Sequence, residues 1–181
     1  MKRFCKEEKA TNTLRVLLAI FFLCAIIFTA NVTLARDRTD IQCNKDTAVA
    51  VVRSAAIGLG EILKDVRGEK RRIDMIRSFI GPIRFYADKT GYFYVYDYHC
   101  VNIAHAIDRK LAGKNLYNYR DAKGKFVIRE LAATARKGGG FVEYYWLKPG
   151  QRNEFKKLGY VEPIPGTNYF IGTGVYLPGG T

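Results

Sequence analysis

GYFYVYDY, residues 91–98, is an eight-residue run rich in aromatic and β-branched side chains, opened by Gly91 and closed by His99-Cys100. In an extended chain successive side chains point to opposite faces, so Tyr92, Tyr94 and Tyr96 share one face and Phe93 and Val95 the other. Residues of this kind suit a pleated, half-buried surface, and the run reads as the first strand of a sheet. Val101 to His105 follows as a second strand after a tight turn at His99-Cys100. Three more runs keep the period of two: Phe141 to Trp146, Phe155 to Glu162 and Tyr169 to Tyr176. Pro149-Gly150 and Pro163-Ile164-Pro165-Gly166 supply the turns between them.

Between the second and third strands lies a loop with GKNLYNY and the turn Asp121-Ala122-Lys123-Gly124. A short helix over Lys125 to Lys137 follows, with Val127, Ile128, Leu131 and Ala135 on one face and Gly138-Gly139-Gly140 to stop it. On the other side of GYFYVYDY the period is helical. From Asn44 to about Phe79, Ala48, Val52, Ala55, Leu59, Ile62 and Val66, then Ile73, Ile76 and Ile80, recur at steps of three and four. Gly68 breaks this stretch into a long and a shorter helix, Lys70, Arg71 and Arg72 form a solvated face, and Pro82 ends the second helix. Helices grouped before an antiparallel sheet predict an α+β domain with one sheet face covered by helix.

Ahead of the helices, Lys2, Arg3, Lys6, Lys9 and Arg15 precede Val16 to Ala35, twenty residues without a charge. A basic flank before an apolar run is an export signal. Two fates are open: cleavage after Ala35, where Thr33-Leu34-Ala35 places small residues at the positions a signal peptidase reads, or retention of Val16 to Ala35 as a membrane anchor. Either way 36–181 is expected outside the cytoplasm, in the periplasm or extracellular space, as a single domain.

The 181 residues carry 30 Lys plus Arg against 17 Asp plus Glu, with 48% hydrophobic and 13% aromatic content. Such a chain has enough apolar surface to fold, which excludes disordered and collagen-like classes. Without residues 1–35 the charge is still +10, from 25 basic and 15 acidic side chains. Export removes nucleic acid as the expected partner and leaves attraction of small anions as the functional meaning of the charge. Of four cysteines only Cys43 and Cys100 lie past the export segment, in a compartment where a disulfide between them can persist.

Catalytic constellations are scarce. His99 and His105 are the only histidines, and Ser54 and Ser78 the only serines. There is no HExxH, CxxCH, GxSxG, P-loop or dinucleotide fingerprint, and Cys43, His99, Cys100 and His105 match no zinc spacing. We therefore expect neither an enzyme nor a bound metal or cofactor. The sheet instead supplies aromatic side chains with polar tips: Tyr94 and Tyr96 on the first strand, Tyr144 and Trp146 on the third, Tyr160 on the fourth. An apolar wall with a few convergent polar groups is the general form of a small-molecule site, and His105, Lys157 and Arg84 can supply charge for a short carboxylate.

GYFYVYD (91–97), NIAH (102–105), GKNL (113–116), KGGGFVEYYW (137–146) and KLGYVEPIPGTNYFIGTGVY (157–176) together resemble the single Cache domain, type 2, of bacterial extracellular sensors. The order and spacing of these pieces behind an export segment and a long helix carry the likeness, which spans the exported domain. The resemblance implies a PAS-like antiparallel sheet of five strands with a long N-terminal helix and a crossover helix. It also implies non-covalent binding of a small organic ligand, often a short organic acid, with Tyr94, Tyr96, His105, Tyr144, Trp146, Lys157 and Tyr160 as matching pocket positions. The turn Tyr98-His99-Cys100 departs from the acidic-Gly turn of relatives, which leaves room for a tether from Cys100 to Cys43. Receptors of this type continue into a second membrane helix and a signalling domain. Because this chain ends just past the last strand, signalling through a membrane-bound partner is expected, with a homodimer left open. The alternative is a periplasmic binding protein that delivers its ligand to an enzyme or transporter.

Overall fold

The computed structural model describes residues 38–178. The export segment, with its cleavage or anchoring alternatives, lies outside the described residues. The described residues from Cys43 onward form one compact unit. Among the described residues no helix is long and apolar enough to cross a membrane.

The helical period upstream of the sheet becomes two helices, α1 over 38–64 and α2 over Glu69–Ile80. The break falls at Gly68, whose φ of 89° is easily reached only without a Cβ. Arg72 from the basic run turns back there and donates from Nε to the Val66 carbonyl at 2.9 Å, satisfying an acceptor near the break. Ala48, Val52, Ala55, Ala56, Leu59 and Leu63 form the buried stripe of α1. Ile62, expected in that stripe, is 46% exposed, because the 3.6-residue period carries the buried face from Leu59 to Leu63.

The sheet has five antiparallel strands: β1 (Tyr94–Asp97), β2 (Asn102–His105), β3 (Gly140–Leu147), β4 (Glu154–Pro163) and β5 (Tyr169–Tyr176). Their spatial order is β2-β1-β5-β4-β3. β5 comes last in sequence and lies in the centre, between β1 and β4, and is buried along nearly its whole length. α3 (Val127–Arg136) crosses over between β2 and β3, and a 3-10 turn (Arg109–Leu111) follows β2. This is the α+β architecture expected from the periodicities.

Cross-strand register separates two faces. Val95 pairs with Ile171, and Tyr160 with Thr173, on the face toward α1. Arg53 of α1 reaches across to Glu162 of β4 on that side, and Lys45 lies over the Phe141 ring. Tyr94 pairs with His105 and Gly172, and Lys157 pairs with Tyr144 and Tyr176, on the opposite face, under α3.

The β1–β2 turn carries no cystine: of the two states that the sequence left open for Cys43 and Cys100, the structure has both free, Cys43 exposed and Cys100 buried. The Asp97 carboxylate closes the turn instead, with Oδ1 accepting from the His99 and Val101 amides at 2.9 and 2.8 Å. Local side-chain to backbone bonds of this kind hold a tight turn without a covalent tether.

The long loop before α3 is pinned to the outer strands by two carboxylates. Buried Asp121 accepts from the Lys123 and Lys125 amides through Oδ1 and from the Tyr145 amide on edge strand β3 through Oδ2, all at 2.9–3.0 Å. Glu154 accepts from Tyr119 Oη and from the Ala122 amide, both at 2.8 Å. Asp121→Ala leaves three backbone donors without their acceptor, and we expect urea unfolding to report a loss of about 2–3 kcal/mol. A loss under about 0.5 kcal/mol would show that the loop is not anchored there.

Candidate functional site

Three glycines set the floor of the site. On the α3 side of the sheet, a Cβ at Gly159 would meet the Tyr144 ring at 2.6 Å, one at Gly172 the Tyr94 ring at 2.7 Å, and one at Gly174 the Lys157 Cε at 2.6 Å. Glycine inside a strand commonly marks such a close approach. Tyr94, Tyr144 and Lys157 therefore lie down across neighbouring strands rather than standing upright.

Lys157 is 1% exposed and pairs with no carboxylate among the described residues. Its Nζ donates to Tyr92 Oη at 3.0 Å, and lies 4.1, 4.8 and 5.7 Å from the ring centres of Tyr92, Tyr176 and Tyr94. Ring faces attract a desolvated ammonium, but they do not neutralise it. Burial pushes its pKa down from 10.5 to about 7. The proton network continues outward: Tyr92 Oη meets Tyr176 Oη at 3.3 Å, and Tyr176 donates to the Leu147 carbonyl at 2.7 Å. Tyr94 Oη contacts Tyr144 Oη at 3.3 Å and donates to the Thr173 carbonyl at 3.2 Å. Desolvation raises the pKa of Tyr92, Tyr94 and Tyr144, so all three stay neutral hydroxyls.

His105 ends β2 beside this cluster, its ring 5.0 Å from Tyr92 and stacked at 6.4 Å on Tyr94. Its Nδ1 accepts from the Asp108 amide at 2.9 Å, which assigns the proton of the neutral ring to Nε2. Burial first, and then the charges of Lys157 and Arg84, lower its pKa to about 3. His105 is thus a neutral donor in a site whose titrating cation is Lys157.

The candidate residues divide clearly. Tyr94, Tyr96, His105, Tyr144 and Trp146 line one small cavity of about 10 Å³, roofed by Val127, Ile128 and Leu131 of α3. That is room for about one water. His105 and Trp146 are shared with an adjoining cavity of about 420 Å³ beneath the 147–154 turn. Lys157 lies beside the small cavity, under Tyr92 and Tyr176. Arg84 is exposed, and its guanidinium donates to the carbonyls of Gly81, Ile83 and Ala106 at 2.6–3.0 Å, so it influences His105 through its charge. Tyr160 lies on the α1 face, where it donates to Glu162 at 2.6 Å beside Arg53, away from the cluster. Tyr92 and Tyr176 were not among the candidates. Their signal was present in the alternation, since Tyr92 shares the face of Tyr94, and Tyr176 closes the GTGVY run.

Comparison with known proteins places this geometry in context. The Cache domain family model matches residues 39–178. The chain is 43% identical over 89 residues to the sensor histidine kinase MctS of Rhizobium johnstonii and 34% identical over 91 residues to the methyl-accepting chemotaxis protein McpP of Pseudomonas putida. Those matches take in 49% and 50% of this chain but only 19% and 17% of the two relatives. A methyl-accepting chemotaxis protein structure from Vibrio parahaemolyticus superposes with a TM-score of 0.67 at 33% identity, covering 79% of this chain and 95% of that one. A Cache chemosensory domain solved for its carboxylic acid recognition superposes with a TM-score of 0.66 at 27% identity, covering 75% of this chain and 94% of that one.

The buried cation makes stability depend on pH in a defined direction. Between pH 7 and 10.5 the unfolded chain holds the Lys157 proton and the folded chain sheds it, so stability of the ligand-free protein rises with pH. The slope is up to about 1.4 kcal/mol per pH unit. His105 acts in the same sense between pH 3 and 6.5. Chemical denaturation from pH 7 to 10 should show the upper rise in the parent chain and lose it in Lys157→Met; a rise that persists in the variant would assign it to another group.

Proposed function

The chain belongs to the Cache domain family, and from that membership we propose that it binds a short organic acid outside the cytoplasm and signals through a partner. Cache domains are extracellular, non-enzymatic ligand-binding sensor domains, and this one is related to those of chemotaxis receptors and histidine kinases. The observation that carries the finer reading is Lys157: a fully buried ammonium held by tyrosine rings and one hydroxyl, without an anionic partner among the described residues. An uncompensated buried charge is costly, and a ligand carboxylate bound against it offsets that cost.

In this reading the carboxylate sits against Lys157 with Tyr92 and Tyr176 hydroxyls at hand, and its carbon skeleton extends under α3 toward Tyr96 and Trp146. Tyr94, His105 and Tyr144 shape the passage between them. The likeness to a Cache domain that recognises carboxylic acids supports this choice of ligand class. The small cavity is the size of a water, so a carbon skeleton that runs under α3 requires α3 or the Trp146–His105 wall to move. Ligand then favours the opened arrangement by its differential affinity, which is the form a signal must take. Residues 1–35 would export the domain and either anchor it or be removed, and a membrane-bound partner would carry the signal onward.

Titration calorimetry with short mono- and dicarboxylates tests the reading. We expect saturable binding of at least one short acid by the parent chain and a loss of about a hundredfold or more in Lys157→Met. At 100 times its dissociation constant such a ligand stabilises the fold by about 2.7 kcal/mol. Because a bound anion favours the charged amine, binding above pH 7 should take up a proton, and affinity should fall by up to about tenfold per pH unit. Equal affinity in the parent and Lys157→Met would overturn the assignment of the anion to Lys157.

A further inference from the structure

A second cleft, of about 540 Å³, opens along β2, which lies at the edge of the sheet. Arg77 and Ser78 from the end of α2, Ala104, His105 and Ala106 of the edge, and Arg109 of the 3-10 turn line it. The ladder turns a backbone donor toward that edge. The Ala106 amide donates to the Phe93 carbonyl, and the next pair along is Tyr94 with His105. Hydrogen-bonded and non-hydrogen-bonded pairs alternate in an antiparallel ladder, so the His105 backbone N–H points away from β1. Elsewhere on this edge the Asn102 amide donates to the Lys114 carbonyl, the Asn102 carbonyl accepts from the Gly113 amide, and the Ile103 carbonyl accepts from Arg77 Nε at 2.9 Å. The His105 amide has no such cover among the described residues.

The two arginines are uncommitted cations. Arg84 donates from both Nη atoms to three carbonyls, whereas Arg77 makes one bond, through Nε, which fixes its plane and leaves both Nη groups for the cleft. Neither Arg77 nor Arg109 forms an ion pair among the described residues. No acidic side chain lines the cleft, and Asp108 turns its Oδ1 to the Lys110 amide at 3.0 Å. The carbonyls that end α2 would repel an anion, but that of Arg77 accepts from the Gly81 amide and that of Gly81 from Arg84.

We propose that this cleft is a second anion site, which takes a phosphate dianion either free or as the monoester of a small molecule. Two guanidiniums, a serine hydroxyl and one amide offer more donors than the two oxygens of a monocarboxylate can use. They match an oxyanion with two charges and three or four acceptor oxygens, and a guanidinium fork binds phosphate oxygens in pairs. The cleft is larger than the anion alone, so the substituent of an ester has room. The site uses neither Lys157 nor the tyrosines, and it takes only the backbone amide of His105.

Amide NMR and titration calorimetry on the 181-residue chain, at fixed ionic strength, test the site with inorganic phosphate and with glycerol 3-phosphate. At least one should bind saturably and move the His105 amide resonance. Tighter binding of inorganic phosphate would assign the free ion, and tighter binding of glycerol 3-phosphate the ester. Arg109→Gln should weaken the binding tenfold or more with its melting temperature unchanged, because the Arg109 side chain makes no hydrogen bond or ion pair among the described residues. Lys157→Met should bind within threefold of the parent. No saturable binding of either compound, or equal affinity in Arg109→Gln and the parent, would overturn the proposal. Binding lost in Lys157→Met would place the anion in the tyrosine cluster and overturn it equally. Carboxylates that bind where phosphate does not would overturn this site alone, whereas phosphate binding without any carboxylate binding would overturn the carboxylate reading and leave this site standing.

Discussion

The ammonium of Lys157 is the feature on which the rest of the site's geometry depends. A long basic side chain is held in the sheet interior by ring faces and a single hydroxyl, an arrangement that compensates a cation only in part. It is sterically permitted because Gly174 lies beneath its stem, just as Gly159 and Gly172 make room for Tyr144 and Tyr94. Register does the remaining work. A one-residue slip of β4 against its neighbours would turn Lys157 toward α1 and put Lys156 or Leu158 in its place.

The two sides of the sheet have different tasks. Toward α1 the contacts are apolar packing and the Arg53–Glu162 ion pair, suited to a fixed support. Toward α3 the groups are tyrosine hydroxyls, a neutral imidazole and the lysine, under a short helix whose loop is held at the edge of the sheet by Asp121 and Glu154. Arg129 fastens the other end of that cover, donating to the Tyr117 carbonyl and the Asn118 side chain while its guanidinium lies over the Tyr117 and Phe126 rings. Cover and loop are thus one piece, and α3 lays its buried residues Val127, Ile128, Leu131, Ala132 and Ala135 on the side of the sheet away from α1. Membership of the Cache domain family gives that division a use, since a sensor domain must change shape locally while its frame keeps its form.

Much of this was legible before any coordinates. The change from a helical period to a period of two at Gly91 separated helices from sheet, and Gly68 and Gly138-Gly139-Gly140 marked where helices end. The expected strand limits lie within a few residues of those found, and Tyr169–Tyr176 coincides. Five of the eight candidate residues line one cavity because alternation already put Tyr94 and Tyr96 on one face of their strand, and Tyr144 and Trp146 on one face of theirs. Tyr160 was misplaced relative to Lys157 because three residues apart in a strand means opposite faces, a consequence of the pleat that the choice of polar-tipped aromatics overlooked. The state of Cys43 and Cys100 stayed open in the sequence for a different reason. Two cysteines in an oxidising compartment are compatible with a bond, yet spacing carries no information about where a helix start and a hairpin turn lie in space.

Local patterns therefore determined the class, the order of elements and the chemical character of the site face, because period, turn residues and glycine stops act over a few residues each. Tertiary structure alone decided that β5 takes the centre of the sheet, that Lys157 is buried without a counter-charge among the described residues, and that His105 is held neutral beside it. Each of these depends on which residues from distant strands come into register, and pairing between distant strands is set by the packing of the whole domain rather than by any stretch of sequence.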